Sequence, residues 1–296
     1  MQPAGKLNER SVLSAPRPVV AEDDRPTVIH APRSGWIGPN ARELWHYREL
    51  LYFLMWRDIK VRYKQTVIGA AWAILQPLLT MIVFSVVFGH FLDVPSDGIP
   101  YPVFAYAGLL PWTFFSTALA RAGGSLVYDA NLLSKVYFPR LIVPAAAIMA
   151  LLVDFAIAFS ILIGLMLAYD VSPGFALLAL PLFTLLAIAT TLGAGLWLAA
   201  LNVKFRDVGY VVPFLTQFWL FITPVLYPST VVPEQWRGLL GLNPMAGVVE
   251  GFRWALTGDG DVSTTLIAVS ISVALFLVVT GIAYFRRMED QFADIV

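Results

Sequence analysis

Six stretches of this 296-residue chain are mostly apolar: 67–92, 101–120, 141–169, 175–201, 211–227 and 266–285. Each approaches or exceeds the roughly 20 residues that a helix needs to cross a bilayer. In hydrocarbon every backbone N–H and C=O must be satisfied within the chain, so such runs fold as helices packed on one another. The expected fold class is an all-α integral membrane protein with six transmembrane helices. Composition agrees, since 58% of the residues are hydrophobic and only 14% are charged, against about 25% charged in a soluble domain. Six spans put both termini on one side, and the flanking charges say which. Arg57, Lys60, Arg62, Lys64, Arg121, Lys135, Arg140, Lys204, Arg206, Arg286 and Arg287 fall on one face, and only Arg237 and Arg253 on the other. Positive residues are retained in the cytoplasm, so both termini are expected there. The opposite face is acidic, with Asp93, Asp97, Asp170, Glu234, Glu250, Asp259 and Asp261.

Residues 1–40 hold six prolines and no apolar run long enough for a signal-peptide core, which predicts a disordered cytoplasmic tail. Segment 41–65 has helical composition, but its apolar run, 50–56, is too short to span. Its aromatic residues (Trp45, Tyr47, Tyr52, Phe53, Trp56, Tyr63) alternate with basic ones, which suits an interfacial amphipathic helix at the lipid headgroups, although the pattern is imperfect. A cytoplasmic helix packed on other protein is the alternative. Residues 66–286 then form the transmembrane domain and 287–296 a cytoplasmic end. The weakest span is 211–227, which carries Pro213 and Pro224 and is expected to be bent or broken. The external loop behind it is too apolar to be solvated and too interrupted to span, and reads as two short helices within about 229–261. Pro233 followed by Glu234 starts the first; Asn243 and Pro244 cap the second, which ends near Gly258. The pair either re-enters the outer leaflet or caps the surface.

The chemistry the chain lacks narrows its function. There is no G-x-x-x-x-G-K-[ST] phosphate loop, so ATP, if used, must be held by a separate chain. With no cysteine and with His30, His46 and His90 far apart, no metal site is expected. No nucleophile elbow and no paired carboxylates within one span are present, so no catalytic residue is assigned and an enzyme is not expected. The 20 basic residues balance 20 acidic ones, which gives no support for nucleic-acid binding. Asp154 lies halfway along 141–169, where a bare carboxylate costs several kcal/mol, so it must be protonated, paired or facing a cavity. Either it lines a substrate path or it bonds to a hydroxyl or backbone group of a neighbouring helix. Gln76, Gln217 and Asn202 are cheaper polar insertions, expected to bond between helices. The aromatic residues of the spans, among them Trp72, Phe84, Phe88, Tyr106, Trp112, Phe218 and Trp219, either pack or line a path for sugars, whose CH faces suit flat rings.

Five ordered stretches carry a resemblance: RDIKVRYKQTVIGAAWAILQP (57–77), DANLLSKVYFPR (129–140), LNVKFRD (201–207), FITPVLYP (221–228) and NPMAGVVEGFR (243–253). Together they resemble the ABC-2 type permeases that export lipid-linked polysaccharides such as O-antigen, teichoic acid or galactan. The resemblance implies a homodimer forming the path, with two ATPase subunits beneath it that hold ATP and Mg, and no cofactor in this chain. It implies a substrate on undecaprenyl or another polyprenyl diphosphate and a bacterial cytoplasmic (inner) membrane location. Asp129, Asn131, Lys135 and Arg140 would belong to the segment coupling to the ATPase, although positive residues belong on this face regardless of partner. Arg57, Lys60, Arg62 and Lys64 would attract the lipid pyrophosphate. It further implies that the helices within 229–261 close the external mouth. An exporter of a drug or small lipid shares the six-span layout but lacks these stretches. A membrane glycosyl- or acyltransferase would need an acidic or histidine constellation that is not visible. A structural scaffold is the third alternative, and Asp154 and the broken fifth helix argue against it.

Overall fold

The structure, a computed structural model, describes residues 41–64, 69–133, 135–258 and 263–295. The tail at 1–40, the beginning of the first span, Asp259 and Asp261 lie outside them. Among the described residues all regular structure is helical. α1 (Ala41–His46) and α2 (Arg48–Lys64) precede α3 (Gly69–Phe84), which runs on as a π-helical segment over Ser85–Phe91. Next come α4 (Tyr101–Tyr128), the short α5 (Ala130–Leu133), α6 (Ile142–Ala150) and α7 (Leu152–Ala168). A 3₁₀ turn, Phe175–Ala179, leads into α8 (Leu180–Lys204), followed by α9 (Val208–Ile222), α10 (Glu234–Leu240), α11 (Pro244–Thr257) and α12 (Thr264–Ile295).

Among the described residues five helices are long and apolar enough to cross a membrane: Ile74–Phe91, Tyr101–Tyr128, Ile142–Ala168, Phe175–Lys204 and Thr264–Glu289. α9 is apolar but has only 15 residues, about 22 Å of helix against a hydrocarbon core of about 30 Å. It stops because Thr223 precedes Pro224. A residue before proline is driven out of the helical region, and Thr223 sits at φ −81°, ψ 136°. The third span is helical on both sides of Leu151, where a tighter bond from the Leu151 N–H to the Ile148 carbonyl interrupts the helix.

Burial orders the bundle. In the α4 span 78% of the apolar window is buried, against 11% in the first span, so α4 is the central helix and α3 a peripheral one. The main core gathers Tyr106, Trp112, Phe115, Leu119 and Phe252 with residues of α7 and α8. A second core joins Leu54 of α2, Leu126, Phe138, Ile142, Leu196, Phe285 and Phe292. This second core explains two extensions beyond the apolar runs. α4 continues eight residues past 120 and α12 ten past 285, because Leu126, Met288 and Phe292 are buried there. The connection between the apolar runs 101–120 and 141–169 therefore begins at Asp129. α8 and α12 cross through Gly193 and Gly281: a Cβ on Gly193 would lie 2.6 Å from the Leu277 backbone, so only glycine permits the approach. Trp197 stacks on Tyr284 at 4.2 Å beside this crossing, and its Nε1–H donates to Thr280 Oγ1 at 3.1 Å.

Candidate functional site

At the end of the bundle where α2, the α4–α6 connection and the end of α12 meet, ion pairs fix α2 in two places. The Arg57 guanidinium donates to Asp129 Oδ2 at 2.8 Å and also pairs with the adjacent Asp58. Asp129 is the residue on which α4 ends. Five residues on, Arg62 pairs with Asp154 at 3.0 Å and the Tyr63 hydroxyl donates to the same carboxylate. Asp154 occupies the first turn of α7, three residues after the Leu151 break. Burial, reinforced by the bond to Asp154, pushes the Tyr63 hydroxyl up to about 12, so it remains a donor near neutral pH. Between α2 and α7 lies a groove of about 450 Å³ lined by Met55, Ile59, Met149, Leu152, Val153 and Ile157.

Asp154 thus meets a neighbouring helix's hydroxyl, one of the two arrangements open from sequence, and an arginine besides. Of the basic residues expected to attract a pyrophosphate, Arg57 and Arg62 are neutralised by carboxylates. Lys60 and Lys64 are exposed, with Lys60 over the Trp56 ring at 5.4 Å. The outward face of α2 also carries Tyr52, Phe53 and Trp56. Among the residues expected to couple to an ATPase, Asp129 is bound by Arg57, while Asn131 and Lys135 are exposed. The Arg140 guanidinium reaches the Glu289 carbonyl and lies over Phe292, and its backbone N–H donates to Glu289 Oε1 at 3.0 Å, so α12 holds the connection's far end. Tyr128, Val136 and Tyr137 stand exposed around it.

The aromatic residues divide. Tyr106 and Trp112 are buried in the core, the Tyr106 hydroxyl donating to the Ala158 carbonyl at 3.2 Å. Phe84 and Phe88 are half-buried and meet edge to face, and Trp219 packs on Phe115. Trp72 of α3 and Phe218 of α9 face outward. The polar insertions divide in the same way. Asn202 is buried and donates to the Gly123 carbonyl at 3.0 Å, whereas Gln76 and Gln217 lie exposed beside Trp72 and Phe218.

At the other end of the bundle α11 is buried between α4, α8 and α12, and here sequence reading missed the principal residue. Arg253, counted only as an outward charge, is 5% exposed. Its guanidinium donates to the carbonyls of Pro224 (2.7 Å), Val225 and Tyr227 (3.4 Å), pairs with Glu250 at 3.2 Å, and lies 3.6 Å above the Phe104 ring. Gly108 makes room, because a Cβ there would come within 2.7 Å of the guanidinium. Glu250 accepts from the Ser229 N–H, and the Tyr101 hydroxyl donates to the Leu226 carbonyl at 2.8 Å. Asn243 caps α11 by accepting from the Met245 N–H at 3.1 Å and also donates to Thr223 Oγ1 at 2.8 Å. The strap from Thr223 to Ser229 is thereby tied to α4 and α11. The signal was present: an arginine between Phe252 and Trp254 in an apolar helix needs buried partners.

A bundle of helices long and apolar enough to span defines a polytopic membrane protein. Residues 49–257 match the ABC-2 type transporter family, and the chain belongs to that family, one of transport permeases and not of enzymes. It is 34% identical over 258 residues to the O-antigen export system permease protein RfbA of Myxococcus xanthus, covering 86% of this chain and 97% of that protein. It is also 28% identical to an RfbA of Klebsiella pneumoniae, over 84% of this chain and 95% of that protein. To the polysialic acid transport protein KpsM of Escherichia coli it is 27% identical, over 80% of this chain and 92% of that protein.

Proposed function

We propose that this chain is the membrane subunit of an ABC transporter exporting a lipid-linked, O-antigen-like polysaccharide across the bacterial inner membrane. The observation that carries this reading is the near end-to-end likeness to the Myxococcus xanthus O-antigen permease, 97% of whose length is covered. The substrate passes from the cytoplasmic to the outer leaflet on a polyprenyl diphosphate such as undecaprenyl diphosphate. Two copies of this chain form the path and two ATPase subunits bind ATP and Mg beneath them. α9 with its strap is the sixth span, residues 66–286 form the membrane domain, and both termini are cytoplasmic.

Several features support the details. Gln76 and Gln217 each place one amide on the otherwise apolar outward faces of α3 and α9, near Trp72 and Phe218, a pattern suited to line a path between two copies. Phe84, Phe88 and Trp219 border that path, with Tyr106 and Trp112 packed behind it. α11 packs on Gly108 of α4 and Ser270 of α12, each roughly 10 Å along its helix from the outer end. That depth supports re-entrant helices closing the external mouth. Lys60, over the Trp56 ring, and the exposed Lys64 attract the carrier's diphosphate, with Arg57 and Arg62 shaping the site. The connection bearing Asp129, Asn131, Lys135 and Arg140 docks on the ATPase through its exposed aromatic residues.

The test is ATP hydrolysis in lipid nanodiscs by this chain alone and by the complex co-expressed with its ATPase. Hydrolysis only by the co-purified complex, changed by lipid-linked glycan, is expected. Failure to associate with an ATPase overturns the transporter assembly, and stimulation by small amphiphiles but not by lipid-linked glycan moves the substrate to a drug or small lipid.

A further inference from the structure

The ion pairs of α2 join parts of the bundle that the chain connects only indirectly. Arg57 holds Asp129, where α4 ends and the exposed connection begins. Arg62 and Tyr63 hold Asp154, just past the break at Leu151. These two attachment points on α2 are five residues apart, roughly 7.5 Å along the axis. Between them α2 lies along α6, with Leu54 buried against Leu141, Ile142 and Ala146. α7 continues from α6 through the tighter turn at Leu151, whose carbonyl accepts from the Phe155 N–H, and its first turn is held from α2 as well.

We infer that α2 is a strut that transmits movement of the α4–α6 connection to α7, with Arg57, Asp129 and Asp154 as positioning residues for the transport cycle. A partner displacing the connection pulls Asp129. Arg57 carries the pull into α2, and Arg62 with Tyr63 deliver it to the first turn of α7, past Leu151. The Arg57–Asp129 pair is suited to the task because it is only partly shielded, at 33% and 20% exposure, and so holds without locking. This inference rests on the proposed function, because it needs an ATPase that docks on the connection.

The test uses the full complex in nanodiscs and reads the coupling ratio, glycan moved per ATP hydrolysed, together with the amount of assembled complex. The variants are Arg57→Glu, Asp129→Arg and the exchanged pair carrying both. Arginine at 129 is compatible with the helix because it sits at the carboxyl end of α4, where positive charge is favoured. Each single reversal is expected to lower the ratio roughly two- to thirtyfold, the scale of coupling changes along such contacts, with assembly retained. The exchanged pair is expected to restore it. A second arm, Tyr63→Phe with Asp154→Asn, releases the α7 attachment without reversing charge and is expected to lower the ratio as well. Unchanged ratios in the assembled single variants, or no recovery in the exchanged pair, overturn the strut. Loss of assembly at constant ratio makes the pairs merely structural and also overturns it. A wild-type complex that binds no ATPase instead defeats the underlying function.

Discussion

Arg253 is the residue whose surroundings leave least freedom. A guanidinium removed from water is tolerable only when its donors and charge are met, and here backbone carbonyls, Glu250 and the Phe104 ring meet them. Arg253→Met leaves Glu250 without its cation and the strap carbonyls without donors. We expect a loss of about 3–5 kcal/mol, measured by thermal unfolding in nanodiscs, with part recovered by adding Glu250→Gln. A loss below about 1 kcal/mol, the range of an exposed pair, would show that the clamp is loose. At Tyr63 the shift has a definite sign. The hydroxyl rises from 10.0 to about 12 in the folded chain, so the native state holds its proton more tightly. The stability linked to the protonated hydroxyl, through its burial first and its bond to Asp154 second, is complete below pH 10 and lost as pH rises through 12. Unfolding of wild type and Tyr63→Phe followed from pH 8 to 12 should converge over that interval, and parallel curves would exclude the bond as a source of stability.

Among the elements, the α8–α12 crossing shows how small residues set helix approach. Gly193 lies against the Leu277 backbone and Gly281 against Gly193 itself, so a branched side chain cannot be absorbed by a rotamer change. Gly193→Val should push the helices apart and sharply reduce folded protein recovered from membranes, while Gly164→Val, with open space at its Cβ, should not. Equal recovery of the two would refute the close crossing. α2 presents the opposite case: Leu54 anchors it to the second core while Tyr52, Phe53 and Trp56 stay outside with Lys60. Lys60→Glu with Lys64→Glu is expected to lower export several-fold, at about 1 kcal/mol of membrane-surface attraction per charge, without altering insertion. Full export by a correctly inserted variant would remove these lysines from substrate capture.

For the molecule as a whole, local sequence signals determined what hydrocarbon and backbone chemistry dictate. The long apolar runs required helices, Asn243–Pro244 and Gly258 bounded α11, and Pro224 ended α9, because each effect acts within a few residues. The ordered motifs likewise placed the chain in its family, and the missing phosphate loop was visible by inspection. Partnerships between distant residues were not legible. Arg57 and Arg62 read as cytoplasmic-face charges and candidates for pyrophosphate capture until folding set Asp129 and Asp154 against them, across 72 and 92 positions of sequence for the pairs Arg57–Asp129 and Arg62–Asp154. Arg253 read as an outward charge because periodicity describes one helix at a time, while its burial depends on α4, α9 and α11 converging. Helix lengths beyond 120 and 285 were missed for the same reason: Leu126 follows Arg121 and two glycines and Phe292 stands among charged residues, and only the second core makes their burial favourable. Solvent preference and backbone geometry are properties of a segment, so sequence determined the class of fold; ion pairs and packing are properties of segments brought together, so tertiary structure decided the site.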